Sequence, residues 1–283
     1  MRILITDCAS LTSGGDLSLE PLKKYGEITE YGNISRAELL KEVADKDIVL
    51  CNKTVIDSEV INAAPNLKYI GVFATGYNNI DITLAKQSGI AVCNAGSYST
   101  NAVAQQVIAY ILLHYTNIPR YNEFVKEGGW KRSPVFSPLV FPTDEVAGKT
   151  LGIIGYGNIG KAVEKAAAGL NMNVLVYTRT VRENGVTRFT DFDTLLKNSD
   201  IITLHCPLNK QSENMMNEEA FSKCKRGAVF INTSRGGTVD ETALLNALKS
   251  GRLSGAAIDV LKEEPMSEDC VLADAPNIII TPH

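Results

Sequence analysis

The sequence is poor in the residue types that announce several common functions. Tryptophan occurs once and histidine three times. The six cysteines (Cys8, Cys51, Cys93, Cys206, Cys224 and Cys270) form no CxxC pair and match no zinc spacing. Thiols so dispersed read as reduced, in a cytoplasmic protein, and no metal centre is expected. No apolar run reaches the roughly 20 residues of a membrane-spanning helix. Positive charge is not in excess: 28 Lys and Arg stand against 32 Asp and Glu, a formal net charge of -4. That balance offers no electrostatic footprint to nucleic acid or anionic lipid. The opening MRILITDC reads as a first strand and lacks the longer apolar core of a secretion signal.

What the sequence does contain is alternation. Short apolar runs at 3–6, 27–31, 48–51, 69–73 and 90–93 are separated by helical stretches. One of these, 35–45, carries Ser35 as an N-cap with Glu38 three residues on. The pattern predicts a parallel α/β sheet, and five strands suit a small flavodoxin-like domain over residues 1–98. A longer helix is predicted from Asn101, with Ala104, Val107, Ile108, Ile111, Leu112 and Tyr115 on one face and an interruption at Pro119. A loop with Pro134, Pro138 and Pro142 follows. Six further strands, at 151–154, 174–177, 201–204, 228–231, 255–258 and 278–281, predict a Rossmann-type doubly wound domain within 99–283.

The strand at 151–154 runs directly into Gly155-Tyr156-Gly157-Asn158-Ile159-Gly160, which opens an Ala-rich helix. Gly155 permits a tight turn, Gly157 lets backbone approach a pyrophosphate, and Gly160 lets helix and strand close up. The helix N-terminus then offers free N–H groups to the phosphates. After the next strand an acidic residue would bind a ribose 2′-hydroxyl, but the chain reads Thr178-Arg179-Thr180, with Arg182 close behind. A guanidinium and two hydroxyls suit a 2′-phosphate, so NADP(H) is expected in preference to NAD(H).

In open α/β sheets ligands lie beyond the carboxyl ends of the strands. Arg235, then Asp259, Glu263 and Glu264, then His283 follow three successive strands there. One cation, one carboxylate and one proton carrier beside a hydride carrier suit the reduction of a 2-keto acid. Arg235 would hold the substrate carboxylate and polarise the ketone. His283 would deliver the proton. Glu264 would orient the imidazole and favour its charged form. Asp259 suits the nicotinamide amide. His114 reads as a packed or surface residue, and His205 as structural or a backbone contact.

The motifs GYGNIG, LHCPLNKQSENMMNEEAF, INTSRGGTVDETALLNALKSG, GAAIDVLKEEP and the final TPH resemble those of the D-isomer-specific 2-hydroxyacid dehydrogenases, over essentially the whole chain. PNLKYIGVFATGYNNID is most similar to the branch of glycerate dehydrogenases, also called hydroxypyruvate or glyoxylate reductases. The resemblance implies Arg235, Glu264 and His283 as catalytic residues. It implies substrate contacts from Asn52, Lys53 and the backbone of Ala74, Thr75 and Gly76. It adds Val103, His205, Cys206, Pro207, Thr233 and Ser234 to the cofactor contacts. The helix from Asn101 would serve as hinge and homodimer interface. Trp130 would reach a neighbouring subunit or anchor its own loop. Hydroxypyruvate or glyoxylate is the expected substrate; the alternatives are D-3-phosphoglycerate oxidation and a nucleotide-sensing protein of corepressor type. The chain departs from the family at Thr178-Arg179, where NAD-preferring members carry Asp. It also stops at His283, where family members continue with a short segment and a helix that returns to the first domain; the native chain is expected to continue by roughly 30 residues, about a connection and one or two helices. On that ground His283 is expected to lack a neighbour that pins it, and this chain to bind nucleotide but catalyse poorly.

Overall fold

The computed structural model describes residues 1–12, 15–181 and 187–283. Arg182 lies outside them. The chain divides into two compact units, Met1–Ser99 and Thr100–His283.

The first unit is built on five parallel strands, β1 (Arg2–Ile5), β2 (Glu27–Glu30), β3 (Ile48–Cys51), β4 (Tyr69–Val72) and β5 (Ala91–Asn94), in the order β2-β1-β3-β4-β5. Successive strand residues face opposite sides. Leu4, Val49 and Ile70 therefore join one buried cluster, while Ile3, Ile5 and Leu50 join another. Three helices connect the strands: α1 (Arg36–Glu42), α2 (Ser58–Asn62) and α3 (Ile82–Gln87). Each starts on a side-chain cap. Ser35 and Glu38 form a capping box, Asp57 accepts from Glu59 and Val60, and Asp81 accepts from Leu84. The helix expected over 35–45 is α1 continued by a 3-10 turn at Val43–Asp45.

The second unit opens with α4 (Thr100–Thr116), which bears Ala104, Val107 and Ile111 on its buried face. It stops at Asn117, in a left-handed conformation with φ 51°, and α5 (Ile118–Lys126) restarts with Pro119 in its first turn. The Pro-rich loop carries Phe136 and Leu139, 89% and 90% exposed. Trp130 anchors locally, its indole N–H donating to the Phe136 carbonyl at 2.9 Å.

Six parallel strands follow: β6 (Thr150–Ile154), β7 (Asn173–Tyr177), β8 (Ile201–Leu204), β9 (Ala228–Asn232), β10 (Leu253–Ile258) and β11 (Ile278–Ile280). Their order is β11-β10-β9-β8-β6-β7. A parallel bridge from Val176 to Phe189, with Thr190 N–H donating to Val176 O at 2.9 Å, adds chain to the outer edge of β7. Counting that stub as third in sequence gives 3-2-1-4-5-6-7, the 3-2-1-4-5-6 order of a dinucleotide-binding sheet with β11 added at its far edge. The stub was absent from the sequence expectation because RFTD is too short and polar to read as a strand. Helices cover both faces. Val229 and Ile231 of β9 join the cluster that includes α4 and α6 (Asn158–Gly169). Ala228 and Phe230 join the opposite cluster, with α7 (Phe192–Asn198), α8 (Glu218–Lys223) and α9 (Glu241–Lys249). Strands buried on both faces read as unbroken apolar runs, which is why these were visible in sequence. Among the described residues no helix is long and apolar enough to cross a membrane.

Candidate active site

The sheet register of the second unit aligns the site. Tyr177, Ile154, Leu204, Asn232, Ile258 and Ile280 are successive Cα partners across β7, β6, β8, β9, β10 and β11. The residues one step beyond this row are Thr178, Gly155, His205, Thr233, Asp259 and Thr281. All but Thr281 are among the predicted site residues. Backbone bonds carry the row one step further: Gly155 N–H to Tyr177 O (2.8 Å), His205 to Ile154 (2.7 Å), Asp259 to Asn232 (2.9 Å) and Thr281 to Ile258 (3.0 Å).

The glycine turn fits a dinucleotide, judged by what a Cβ would meet. At Gly155, φ is +96° and a Cβ would lie 2.6 Å from the Cys206 nitrogen. At Gly160 it would lie 2.4 Å from the Gly155 oxygen. These two glycines are required by the fold. At Gly157 a Cβ would meet nothing within 4 Å, so the packing does not require glycine there and the backbone stays open. Gly157 is also the N-cap of the 12-residue α6 and caps it with no side chain, and Asn158 and Ile159 begin the helix. Two buried polar atoms on the same edge, His205 Nδ1 and Thr233 Oγ1, lack any protein partner among the described residues. His205 Nε2 lies 3.1 Å from Thr203 Oγ1, and burial drives the His205 pKa down to about 3, so the ring is neutral. Cys206, Pro207 and Ser234 adjoin these residues in the chain, and Val103 stands half-buried on α4.

Beyond β7, Thr178 is half-buried and Arg179 and Thr180 are exposed. Arg179 Nη1 donates to Gln211 Oε1 at 2.6 Å, which ties the β7 end to the loop after β8. Tyr156 turns away from the glycine row, bonding Glu164 and, at 2.8 Å, Thr187 Oγ1.

The catalytic candidates converge through a residue not foreseen in the sequence. β9 ends on Asn232, whose buried amide donates to Arg235 O (3.0 Å) and accepts from the Ser234 N–H (3.0 Å) and hydroxyl (2.8 Å). Gly236 then allows the 261–262 backbone to come so close that a Cβ would lie 1.9 Å from the Leu261 carbonyl carbon. That approach carries Glu264 toward Arg235. Burial lowers the Arg235 pKa, and the Glu264 carboxylate opposes the shift. Glu264 divides its oxygens: Oε1 accepts Leu261 N–H at 2.9 Å, and Oε2 lies 2.7 Å from His283 Nδ1. His283 N–H also donates to Thr281 O at 2.9 Å. The expectation that His283 lacks a neighbour to hold it is therefore corrected: Glu264, 19 residues earlier, orients the ring. Asp259 accepts from the Thr281 hydroxyl, which in turn meets the Tyr110 hydroxyl of α4. Glu263 is exposed. His114 packs beneath Gly255, with Nε2 3.3 Å from Ser254 Oγ, as a structural histidine.

In the first unit, Asn52 and Lys53 follow β3. Ala74, Thr75 and Gly76 follow β4 by one residue. The carbonyls of Ala74 and Thr75 are taken by Ala95 N–H (3.1 Å) and Asn94 Nδ2 (2.8 Å). Among the described residues none accepts from the N–H groups of Ala74, Thr75 or Gly76.

Residues 108–283 match the family model for the D-isomer specific 2-hydroxyacid dehydrogenase, NAD binding domain. The chain belongs to the D-isomer-specific 2-hydroxyacid dehydrogenases. It is thus an NAD(P)-dependent oxidoreductase interconverting 2-keto acids and D-2-hydroxy acids. The hydroxypyruvate reductase of Blautia hydrogenotrophica is 40% identical over 289 residues, covering 100% of this chain and 89% of that relative. The glycerate dehydrogenase of Methylorubrum extorquens is 40% identical over 248 residues, 87% of this chain and 78% of its own. Among solved structures, an NADPH-dependent glyoxylate/hydroxypyruvate reductase from Sinorhizobium meliloti, in complex with NADP and malonate, is 26% identical. It covers 100% of this chain and 86% of that one with a TM-score of 0.85. These relatives place the chain in the glycerate/hydroxypyruvate branch of the dehydrogenases.

Proposed function

We propose that this dehydrogenase reduces hydroxypyruvate, glyoxylate or a 2-keto acid of similar size, using NADPH in preference to NADH. The observation that carries the reading is the Glu264–His283 pair at 2.7 Å, on the loop that Gly236 draws against Arg235. A bound nicotinamide supplies the hydride. Arg235 then anchors the substrate carboxylate and polarises the ketone oxygen as negative charge grows there. Glu264, as a carboxylate, can only accept, so His283 Nδ1 carries the hydrogen of their bond and Nε2 presents the proton for the nascent alkoxide. The N–H groups of residues 74–76, from which no described residue accepts, are assigned to the substrate carboxylate, and the side chains of Asn52 and Lys53 to the rest of the 2-keto acid. Gly155, Tyr156, Gly157, Asn158, Ile159 and Gly160 form the pyrophosphate turn, and Thr178, Arg179 and Thr180 face the 2′-phosphate. Val103, His205, Cys206, Pro207, Thr233, Ser234 and Asp259 complete the cofactor contacts, Thr233 offering an unpartnered hydroxyl.

The six free thiols suit a reducing, cytoplasmic setting. The exposed apolar side chains of the Pro-rich loop suit a homodimer contact. The test is NADPH and NADH oxidation against a panel of 2-keto acids, repeated with Arg179→Ala. NADPH efficiency should fall about 10- to 100-fold in the variant while NADH efficiency holds, because only the phosphate loses its guanidinium. Equal use of both cofactors by the unaltered chain rejects the NADPH preference.

A further inference from the structure

Asp7 is a carboxylate buried to 3% exposure two residues past β1, and no proposed step uses it. Its oxygens collect three consecutive backbone N–H groups from the loop after β3. Asn52 N–H donates at 2.8 Å, Lys53 at 2.5 Å and Thr54 at 2.9 Å. The Thr6 hydroxyl adds a fourth donor at 3.0 Å. Successive N–H groups turned to one point form a concave anion site. Here the chain's own carboxylate fills it. The negative end is also felt nearby: the thiols of Cys51 and Cys8 have raised pKa values, through burial first and the Asp7 charge among the further causes.

The same loop is held from its other side. Asn79 Nδ2 donates to Thr54 O at 2.8 Å and to Asn52 O at 3.4 Å. Asn79 belongs to the segment that begins with Ala74, Thr75 and Gly76. Asn52 is held a third time, Nδ2 donating to the Ser10 hydroxyl at 3.0 Å. One loop thus has its donors gathered by Asp7 and its acceptors gathered by Asn79.

We propose that Asp7 and Asn79 are positioning residues for substrate binding: together they lock the 52–54 loop and join it to the 74–79 loop, so that Asn52 and Lys53 meet the 2-keto acid through their side chains alone. The proposal rests on the assignment of these two loops to the substrate. Because Asp7 consumes the N–H groups of residues 52–54, the substrate carboxylate must draw backbone donors from residues 74–76 only. An uncharged amide at position 7 keeps the shape but turns an N–H₂ toward incoming N–H groups, so the loop must shift.

The test is steady-state kinetics of Asp7→Asn and Asn79→Ala with the best 2-keto acid of the panel, together with nucleotide affinity by fluorescence titration. KM should rise at least tenfold, with kcat within about threefold and nucleotide Kd unchanged, since contacts made equally in ground and transition states appear in KM. In a Lys53→Met background the KM effect of Asp7→Asn should shrink, because the two changes act through one contact. An unchanged KM in folded protein overturns the proposal. So does a rise in KM accompanied by parallel losses of nucleotide affinity and thermal stability, which marks a purely structural role. If Asp7→Asn does not fold, Asn79→Ala decides alone. Turnover of no 2-keto acid by the unaltered chain rejects the substrate reading instead, and is scored before any variant.

Discussion

Glu264 Oε2 lies 2.7 Å from His283 Nδ1, and the other oxygen of the same carboxylate accepts the Leu261 N–H at 2.9 Å. One oxygen fixes the carboxylate and the second fixes the imidazole. The arrangement sets the tautomer, since an ionised carboxylate has no hydrogen to give. His283→Asn should therefore lower kcat on the order of 10³-fold, the range of general acid catalysis, and leave nucleotide affinity intact. Glu264→Gln should cost less, about 10²-fold, because the ring remains but its orientation and tautomer are no longer enforced. Single-turnover rates with nucleotide titrations check both; a Glu264→Gln rate equal to that of the unaltered chain removes the carboxylate from the mechanism.

The three glycines of the turn separate into two kinds. Gly155→Ala and Gly160→Ala meet backbone at 2.6 and 2.4 Å and should destabilise the second unit by about 1–3 kcal/mol. Gly157, at φ -83° with open space beyond its Cβ, should accept alanine with little net change in stability, the restricted unfolded chain offsetting alanine's poorer N-cap. Its nucleotide Kd should nonetheless rise about 10- to 100-fold, as the added methyl occupies the pyrophosphate's approach. Denaturant melts and nucleotide titrations of the three variants distinguish the kinds. A Gly157→Ala protein that binds normally refutes the assignment.

The fold was legible because both sheets are parallel and their central strands are buried. Every strand of the second unit spells an apolar run, and the turn beyond β6 is spelled by its glycines. Arg235, Glu264 and His283 could be named because each follows such a run. The residues that hold them could not. Asn232 matters through a bond to a carbonyl three residues on, and Gly236 through a backbone 25 residues away. Phe189 extends the sheet by a single bridge. Asp7 looks like any acid after a strand until residues 52–54 return to it. Contacts of this kind are made by the fold and leave no local period or spacing.

His205 makes stability depend on acid. Burial holds its folded pKa at about 3, against roughly 6.5 in an unfolded chain. Between these values the unfolded state binds the extra proton, so stability falls as pH drops through that window and is fully present above it. From pH 7 to pH 5 the group accounts for a loss of about 2 kcal/mol. His205→Gln, which cannot take up that proton, should show a shallower decline. Urea melts of both proteins at pH 7, 6 and 5 give the comparison. Parallel declines indicate that His205 is not the titrating group.

Thr281 completes a three-residue chain from α4 to the cofactor side of the sheet. Its hydroxyl has one hydrogen, and Asp259 as a carboxylate can only accept it. The buried Tyr110 hydroxyl must then donate to Thr281. The Thr281 carbonyl meanwhile accepts the His283 N–H at 2.9 Å, so one residue braces both Asp259 and His283. Thr281→Val keeps the shape and strands the buried Tyr110 hydroxyl and the half-buried Asp259 carboxylate, at a cost of about 1–3 kcal/mol. For a unit of this size that is a fall in Tm of roughly 2–4 °C per kcal/mol. kcat should drop with it, as Asp259 and His283 lose their common support. Thr281→Ser retains the hydroxyl and should restore both quantities. Calorimetry and kcat of the pair decide the matter: if valine melts and turns over as serine does, the hydroxyl chain contributes nothing and the backbone bond alone holds His283.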